Sequence, residues 1–166
     1  MGKMRNLLAG ALLLAAGTAA FAHSEGGYVE NDFFKGMKKG DKAAVLMVHF
    51  GTTYDDTRAL TIDSINQKAK KEFKNADVKE AFTSRIVMRR LKARGIEKQN
   101  PSEVIKDLKA NGYTHLLVQG THIMNGVESN NLAEELKGYE KDFKDIRMGT
   151  PLLTTHEDYE AVAKAI

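Results

Sequence analysis

Two residues that can handle a metal ion lie six positions apart in the segment VQGTHIMNGVESNN. His122 follows an apolar run typical of a β-strand, and Glu128 follows an Asn-Gly turn. A neutral imidazole can bind a metal or accept a proton near neutral pH, and a carboxylate can assist either task. We interpret His122 as the candidate catalytic residue, and His122 with Glu128 as candidate metal ligands. The alternative is that His122 is a polar loop residue and that Glu128 begins a helix, where a carboxylate is favoured.

The absence of cysteine limits the chemistry that is open to this chain of 166 residues. It excludes disulfide bonds and thiolate metal ligands. Any metal ion must then be held by histidine, carboxylate or backbone oxygen. Imidazole suits divalent transition metals, so the histidines are the main ligand candidates.

A second candidate segment, MVHFGTT, contains His49 and two threonines. The backbone N–H groups and hydroxyls around Gly51, Thr52 and Thr53 suit an anion such as a carboxylate. The segment lacks the further glycines and the lysine of a phosphate-binding loop. We interpret His49, Thr52 and Thr53 as candidate substrate-binding residues. The alternative for His49 is a buried residue that is hydrogen-bonded to backbone.

A third candidate pair, Ser84 and Arg85, opens the basic stretch RIVMRRLKAR, which predicts an amphipathic helix. Most cationic runs of this kind are solvated helix faces. Arg85 differs from the rest of the run because it lies next to the predicted end of a strand, where it can meet an anionic ligand. We therefore add Ser84 and Arg85 to the candidate substrate-binding residues.

Apolar runs bounded by turn residues alternate along the chain with segments of helical periodicity. This alternation predicts crossover units, and hence an α/β fold with a four-stranded parallel sheet flanked by helices. Ligands of such open sheets bind beyond the carboxyl ends of the strands, so the candidate residues should converge on one rim. The predicted strands are 43–50, 78–84, 114–122 and 146–153, and the predicted helices are 57–73, 85–95, 100–112, 128–143 and 156–166.

The first 22 residues combine two cations, a short apolar run and the small-x-small sequence Ala-Phe-Ala. This pattern is typical of a secretory signal peptide, and the apolar run is short for a bilayer-spanning helix. We expect residues 1–22 to be removed on export, most simply to a periplasm, with no stable membrane anchor after processing. Residues 23–42 predict a loose N-terminal arm rich in glycine and lysine, and residues 43–166 predict a single domain.

The charge balance gives no general case for nucleic-acid binding. The chain has 25 basic and 22 acidic side chains, but Lys3 and Arg5 belong to the predicted signal peptide. Without those two cations, 23 basic side chains stand against 22 acidic ones. A nearly neutral domain lacks the basic excess that a phosphate backbone attracts.

Four blocks carry a resemblance to a known family: VLMVHFGTTYDDTRALTI, EAFTSRIVMRRL, LLVQGTHIMNGVE and MGTPLLTTHEDYEAVAKAI. Together they resemble the anaerobic cobalt chelatases of the CbiK type, the sirohydrochlorin cobaltochelatases, whose superfamily also holds class II ferrochelatases. The resemblance runs through residues 43–166 and implies insertion of Co²⁺, or of Fe²⁺, into sirohydrochlorin. It implies that His122 and Glu128 face the cleft, and that Arg85 and rim hydroxyls bind the carboxylates of this polyanionic substrate.

The resemblance also implies that the chain corresponds to one half of a chelatase fold. That fold has two similar α/β halves around a tetrapyrrole cleft, and its principal catalytic histidine lies in a Gly-His-Gly segment of the C-terminal half. This sequence contains no Gly-His-Gly. Short single-half chelatases work as homodimers, and their strand-three histidine matches His122 in position. The implied state is either half of a longer enzyme or a homo-oligomer.

Export departs from the family pattern, because corrin synthesis is normally cytoplasmic. This departure motivates a hypothesis of a different class, a non-catalytic periplasmic carrier of a tetrapyrrole such as haem, or of a metal. A histidine can serve as an axial haem ligand as well as a base. A third option is a metal-binding interaction module that binds no tetrapyrrole.

Overall fold

The structure is a computed structural model that describes residues 33–166. The predicted signal peptide and residues 23–32 of the predicted arm lie outside the described residues. Among the helices of residues 33–166, none is long and apolar enough to cross a membrane.

Four strands form one sheet in the order β2-β1-β3-β4, and every neighbouring pair is parallel. The predicted four-stranded parallel α/β sheet is therefore confirmed. The central strands β1 and β3 are buried along almost their whole length, which explains why they are continuous apolar runs in the sequence. The strands are β1 Ala43–His49, β2 Asp77–Phe82, β3 His115–Gly120 and β4 Asp145–Met148.

Helices connect the strands, and two of them begin with a reciprocal cap. Asn100 and Glu103 form a capping box at the start of α4, and Thr155 and Asp158 form one at the start of α6. The helical elements are α1 Asp55–Arg58, a π-helical turn Ala59–Asp63, α2 Ser64–Glu72, α3 Arg85–Lys92, α4 Pro101–Ala110, α5 Val127–Lys137 and α6 His156–Ala165.

The side chains of β1 alternate between the two faces of the sheet. The even-numbered residues from Ala44 to Val48 pack in a core with apolar residues of α4 and α5. The odd-numbered residues pack in a second core with Ala69 of α2 and with Phe33. Phe33 is fully buried and meets the ring of His115 edge-on at 5.7 Å. The described part of the predicted arm is thus packed on the sheet through Phe33, Phe34 and Met37.

The fourth strand ends at Met148, before the predicted end at residue 153, although an isolated parallel bridge pairs Leu153 with Met124. The side chain of Gln119 occupies the space where a Cβ of residue 149 would lie, and its amide donates to the Thr150 carbonyl at 3.1 Å. Pro151 then follows without an N–H group to donate to the ladder.

The predicted helix 57–73 spans Asp55 to Glu72 and contains the π-helical turn in its first half. Such turns are uncommon and shift the faces that a helix presents. The buried positions are Ile62 within this turn, and Asn66 and Ala69 after it. A polar residue, Asn66, is thereby buried on the side of the helix that carries apolar residues.

Candidate functional site

The parallel strands bring the predicted site residues to the carboxyl edge of the sheet. His49 is the last residue of β1, Ser84 and Arg85 follow β2, and His122 follows β3. Glu128 lies in the first turn of α5, as its position after the Asn-Gly turn indicated. The chain topology therefore places all of these residues near one rim, as expected for an open parallel sheet.

The His122 ring is the most unusual group at this rim. Both of its ring nitrogens are buried, and neither has a hydrogen-bond partner among the described residues. The ring lies against Gly120, since a Cβ there would approach Nδ1 to 2.6 Å. Burial lowers the pKa of His122 below its ordinary value, and the negative charge of Glu128 opposes that shift. His122 is consequently neutral at neutral pH and has a lone pair available for a metal or a proton.

Glu128 and Arg85 line one cleft of about 430 Å³ at this edge of the molecule. The cleft lies between the N-terminal ends of α3 and α4 and one side of α5. Thr83 contributes a hydroxyl that is buried without a partner. The lining residues are Thr83, Arg85, Asn100, Pro101, Ser102, Glu128, Asn131, Leu132 and Glu135. A cation and hydroxyls beside a carboxylate can bind a ligand that has acidic side groups and a metal.

His122 and Glu128 do not by themselves complete a metal site. Within residues 33–166, no group of three or more histidine, aspartate or glutamate side chains is placed to hold a metal ion. Two ligands leave the tetrahedral or octahedral shell of a divalent transition metal open. A metal ion held by this pair would need further ligands from outside the described residues.

Three of the predicted substrate-binding residues make local contacts in this structure. The Thr52 hydroxyl accepts from the Tyr54 backbone N–H at 3.2 Å, and the Thr53 carbonyl accepts from Arg94 at 2.6 Å. The Ser84 hydroxyl accepts the N-cap hydrogen bond of α3. These contacts shape the rim loops, and substrate binding by the three residues stays a prediction.

The structure corrects the interpretation of His49 as a substrate-binding residue. Its side chain is 1% exposed, and both ring nitrogens are hydrogen-bonded. Nδ1 lies 3.0 Å from the Thr121 hydroxyl, and Nε2 lies 3.0 Å from the Asn66 side-chain oxygen. His49 is thus the buried residue of the alternative interpretation, although its partners are side chains rather than backbone.

Sequence reasoning missed two polar groups near the rim. Asn66 lies in a helix that is rich in cations, and its own polarity did not indicate burial. Its spacing from Ile62 and Ala69 nevertheless places it on the apolar side of that helix. Arg58 donates to Asp55 at 2.6 Å through one guanidinium nitrogen, while its Nη1 is buried without a partner. No periodicity or motif in the sequence distinguishes Arg58 from other helix cations.

Large apolar side chains are exposed around the same edge. Each follows the carboxyl end of a strand and is more than half exposed. We call this set the apolar rim; it consists of Phe50, Ile86, Ile123, Met124, Val127 and Leu152. Exposed apolar patches of this kind mark surfaces that bind a ligand or another protein.

Burial of His49 predicts a pH-dependent stability. Burial lowers the pKa of His49 below its ordinary value of 6.5, with hydrogen bonding to Asn66 and the charge of Glu80 opposing the shift. The unfolded chain therefore takes up the proton first, and the free energy of unfolding should fall as the pH drops below 6.5. The slope for one proton is at most about 1.4 kcal/mol per pH unit. Urea unfolding between pH 7.5 and 5 measures it, and His49→Gln should flatten the profile. An equally steep profile for His49→Gln would contradict this assignment.

The described residues form an α/β domain with an open parallel sheet, which has a histidine and a carboxylate at its carboxyl edge. Residues 43–166 match the family model described as Cobalt chelatase (CbiK). The chain belongs to this family, and the resemblance carried by the four sequence blocks is confirmed.

Two curated relatives both carry the name sirohydrochlorin cobaltochelatase. The chain is 33% identical over 126 residues to the sirohydrochlorin cobaltochelatase of Salmonella typhimurium, a match that covers 75% of this chain and 48% of the relative. It is 28% identical over 127 residues to sirohydrochlorin cobaltochelatase CbiKC of Nitratidesulfovibrio vulgaris, with 75% and 45% covered. The chain thus spans about half the length of the curated relatives it matches.

A solved structure has a similar fold. It is a CbiX protein from Marinobacter aquaeolei VT8, described as belonging to cobalamin (vitamin B12) biosynthesis. The TM-score is 0.50 at 12% sequence identity, and the match covers 74% of this chain and 92% of the other. At this identity the likeness supports the fold alone.

Proposed function

We propose that this chain inserts a divalent metal, Co²⁺ foremost and Fe²⁺ as a second candidate, into sirohydrochlorin. The observation that carries the proposal is the His122 ring, whose two buried nitrogens have no hydrogen-bond partner within residues 33–166 of a chain that belongs to the cobalt chelatase family. A buried polar group without a partner is rare in folded proteins and often marks a functional role.

The chemistry requires a group that accepts the pyrrole N–H protons as the metal enters the macrocycle. A neutral imidazole can accept such a proton or hold the metal beforehand, and burial keeps His122 neutral. Glu128 stabilises the protonated form that results, because its charge raises the pKa of His122. The two residues therefore act as an acceptor and its electrostatic support.

Recognition of the substrate falls to the cleft and to the apolar rim. The acidic side groups of sirohydrochlorin suit Arg85 and the unpartnered hydroxyl of Thr83 in the cleft. The macrocycle itself is largely apolar and suits residues such as Ile123 and Met124 beside His122. Thr52, Thr53 and Ser84 lie on neighbouring loops, where their remaining hydrogen-bonding capacity can serve further carboxylates.

The active form needs a second half, supplied by a second copy of this chain or by a further polypeptide. Two observations support this step: the described metal ligands are too few, and the apolar rim is exposed around them. A facing surface would cover the rim and close the cleft over the substrate. The predicted signal peptide supports a periplasmic place of action.

The test is anaerobic addition of Co²⁺ to sirohydrochlorin with purified protein, followed by absorbance, against a reaction without protein. We expect a faster spectral change with protein, and a dimer or larger assembly in sedimentation velocity. No acceleration by an assembled protein would contradict the proposal. A Soret band in the protein as purified, without turnover, would instead identify a tetrapyrrole carrier.

A further inference from the structure

A chain of polar contacts runs beneath the rim, from β1 through α2 to β2 and beyond. The Asn66 amide donates to a Glu80 carboxylate oxygen at 2.7 Å, and Lys98 donates to the other oxygen at 2.6 Å. Asn66 is 9% exposed and His49 is 1% exposed. Most polar groups buried to this extent have a hydrogen-bond partner, and here each has one.

This chain of contacts fixes the hydrogen on the His49 ring. The Asn66 amide nitrogen donates to Glu80, so the Asn66 oxygen faces His49. Nε2 of His49 must then be the donor, and Nδ1 of the neutral ring accepts from the hydroxyl of Thr121 at 3.0 Å. The carboxylate of Glu80 thus determines, through Asn66, that the ring nitrogen facing Thr121 carries no hydrogen.

Thr121 is the residue that joins the end of β3 to β1 and precedes His122. Its N–H donates to the Val48 carbonyl at 2.9 Å, and its hydroxyl lies 3.0 Å from Nδ1 of His49 and 3.3 Å from the same Val48 carbonyl. The His122 ring has no hydrogen bond of its own among the described residues and rests on Gly120. The backbone that carries the ring is held on two sides, because the Thr121 N–H donates to Val48 and the His122 carbonyl accepts from the Leu152 N–H at 3.1 Å. The direction of the His122 ring therefore depends in part on how firmly the backbone at Thr121 is held.

We propose that His49 is a positioning residue, which holds Thr121 and thereby aims the His122 ring at the reacting centre. The inference rests on the proposed function for its kinetic consequence, whereas the orientation of His122 is a property of the protein alone. Groups that orient a metal-binding histidine commonly change metal affinity or activity by about 10- to 100-fold when they are removed. Here the orienting contact acts through the backbone.

The experiment compares His49→Phe, which fills the space without hydrogen bonds, with His49→Gln, which offers a donor and an acceptor. Thr121→Val and Thr121→Ser repeat the test from the other partner if His49→Phe folds poorly. The control is His115→Phe, since His115 is also buried on a central strand but lies at the opposite edge of the sheet. The readouts are the NMR signals of the His122 ring, and kcat and KM for Co²⁺.

In His49→Phe and Thr121→Val we expect the His122 ring signals to shift or broaden and kcat/KM for Co²⁺ to fall about 10-fold. His49→Gln and Thr121→Ser should leave the ring signals close to those of the unaltered protein and kcat/KM within about 3-fold of its value. His115→Phe should lower only thermal stability. Unchanged His122 signals in both disruptive variants would overturn the inference. If the unaltered protein shows no turnover, the proposed function fails, and the ring signals alone still decide the positioning role.

Discussion

Replacing His122 by alanine should slow Co²⁺ insertion into sirohydrochlorin by about 100-fold or more. A positioned acid or base contributes on the order of 10² to 10⁴ to a rate, and His122 offers two ring nitrogens that nothing else in the described chain engages. Thermal stability should hardly change, because the ring forms no hydrogen bond whose loss would strand a partner. Anaerobic initial rates and a melting curve measure the two effects.

The matched control for this prediction is His156→Ala. His156 begins α6, and its side chain is 84% exposed, with Glu160 one turn along the helix. Its loss should leave the insertion rate within about 2-fold of that of the unaltered protein, because an exposed pair of this kind contributes little. Equal rates for both alanine variants would remove His122 from the reaction. A drop in melting temperature for His122→Ala alone would point to a structural role.

Replacing Gly51 by alanine should destabilise the fold by roughly 2 to 4 kcal/mol, the combined cost of left-handed backbone and of overpacking. Gly51 has a φ of 96°, which L residues rarely adopt. A Cβ there would also lie 2.5 Å from the Phe82 ring, which is fully buried. Urea denaturation measures the loss, and the rate of metal insertion should fall as well, since the loop that Gly51 begins helps to form the rim.

Replacing Gly95 by alanine separates the cost of left-handed backbone from the cost of overpacking. Gly95 has a φ of 78° but open space around its Cα. Its replacement should therefore cost about 1 to 2 kcal/mol, from backbone conformation alone. If the two variants were destabilised equally, contact with Phe82 would not contribute, and the close approach of the Gly51 loop to β2 would not matter for stability.

The strand-and-helix order could be predicted from the sequence because buried parallel strands are continuous apolar runs and helices have their own period. Ala43–His49 and His115–Gly120 both lie within their predicted strands. The ends were less predictable. Strand four stops early because the Gln119 side chain occupies the space beside Gly149, a contact between residues far apart in the chain.

The candidate site likewise has features that the sequence predicted and features that it did not. Residue type and spacing alone marked His122 and Glu128, and the rule for parallel sheets placed them at one edge. The same local pattern marked His49 as a rim residue, yet the structure turns it inward. Its side chain contacts Asn66, which in turn donates to Glu80 on a neighbouring strand. The difference in hydrogen bonding between His49 and His122 is thus decided by tertiary contacts.

The sequence by itself determined the architecture, the family and the chemical types at the rim, because hydrophobic period and residue chemistry are local properties of the chain. Only the tertiary structure decided that Arg85 and Glu128 share a cleft, that the nitrogens of His122 are left without partners, and that His49 is buried. Burial and hydrogen bonding depend on residues brought together from distant positions, and no local pattern encodes which of them will meet.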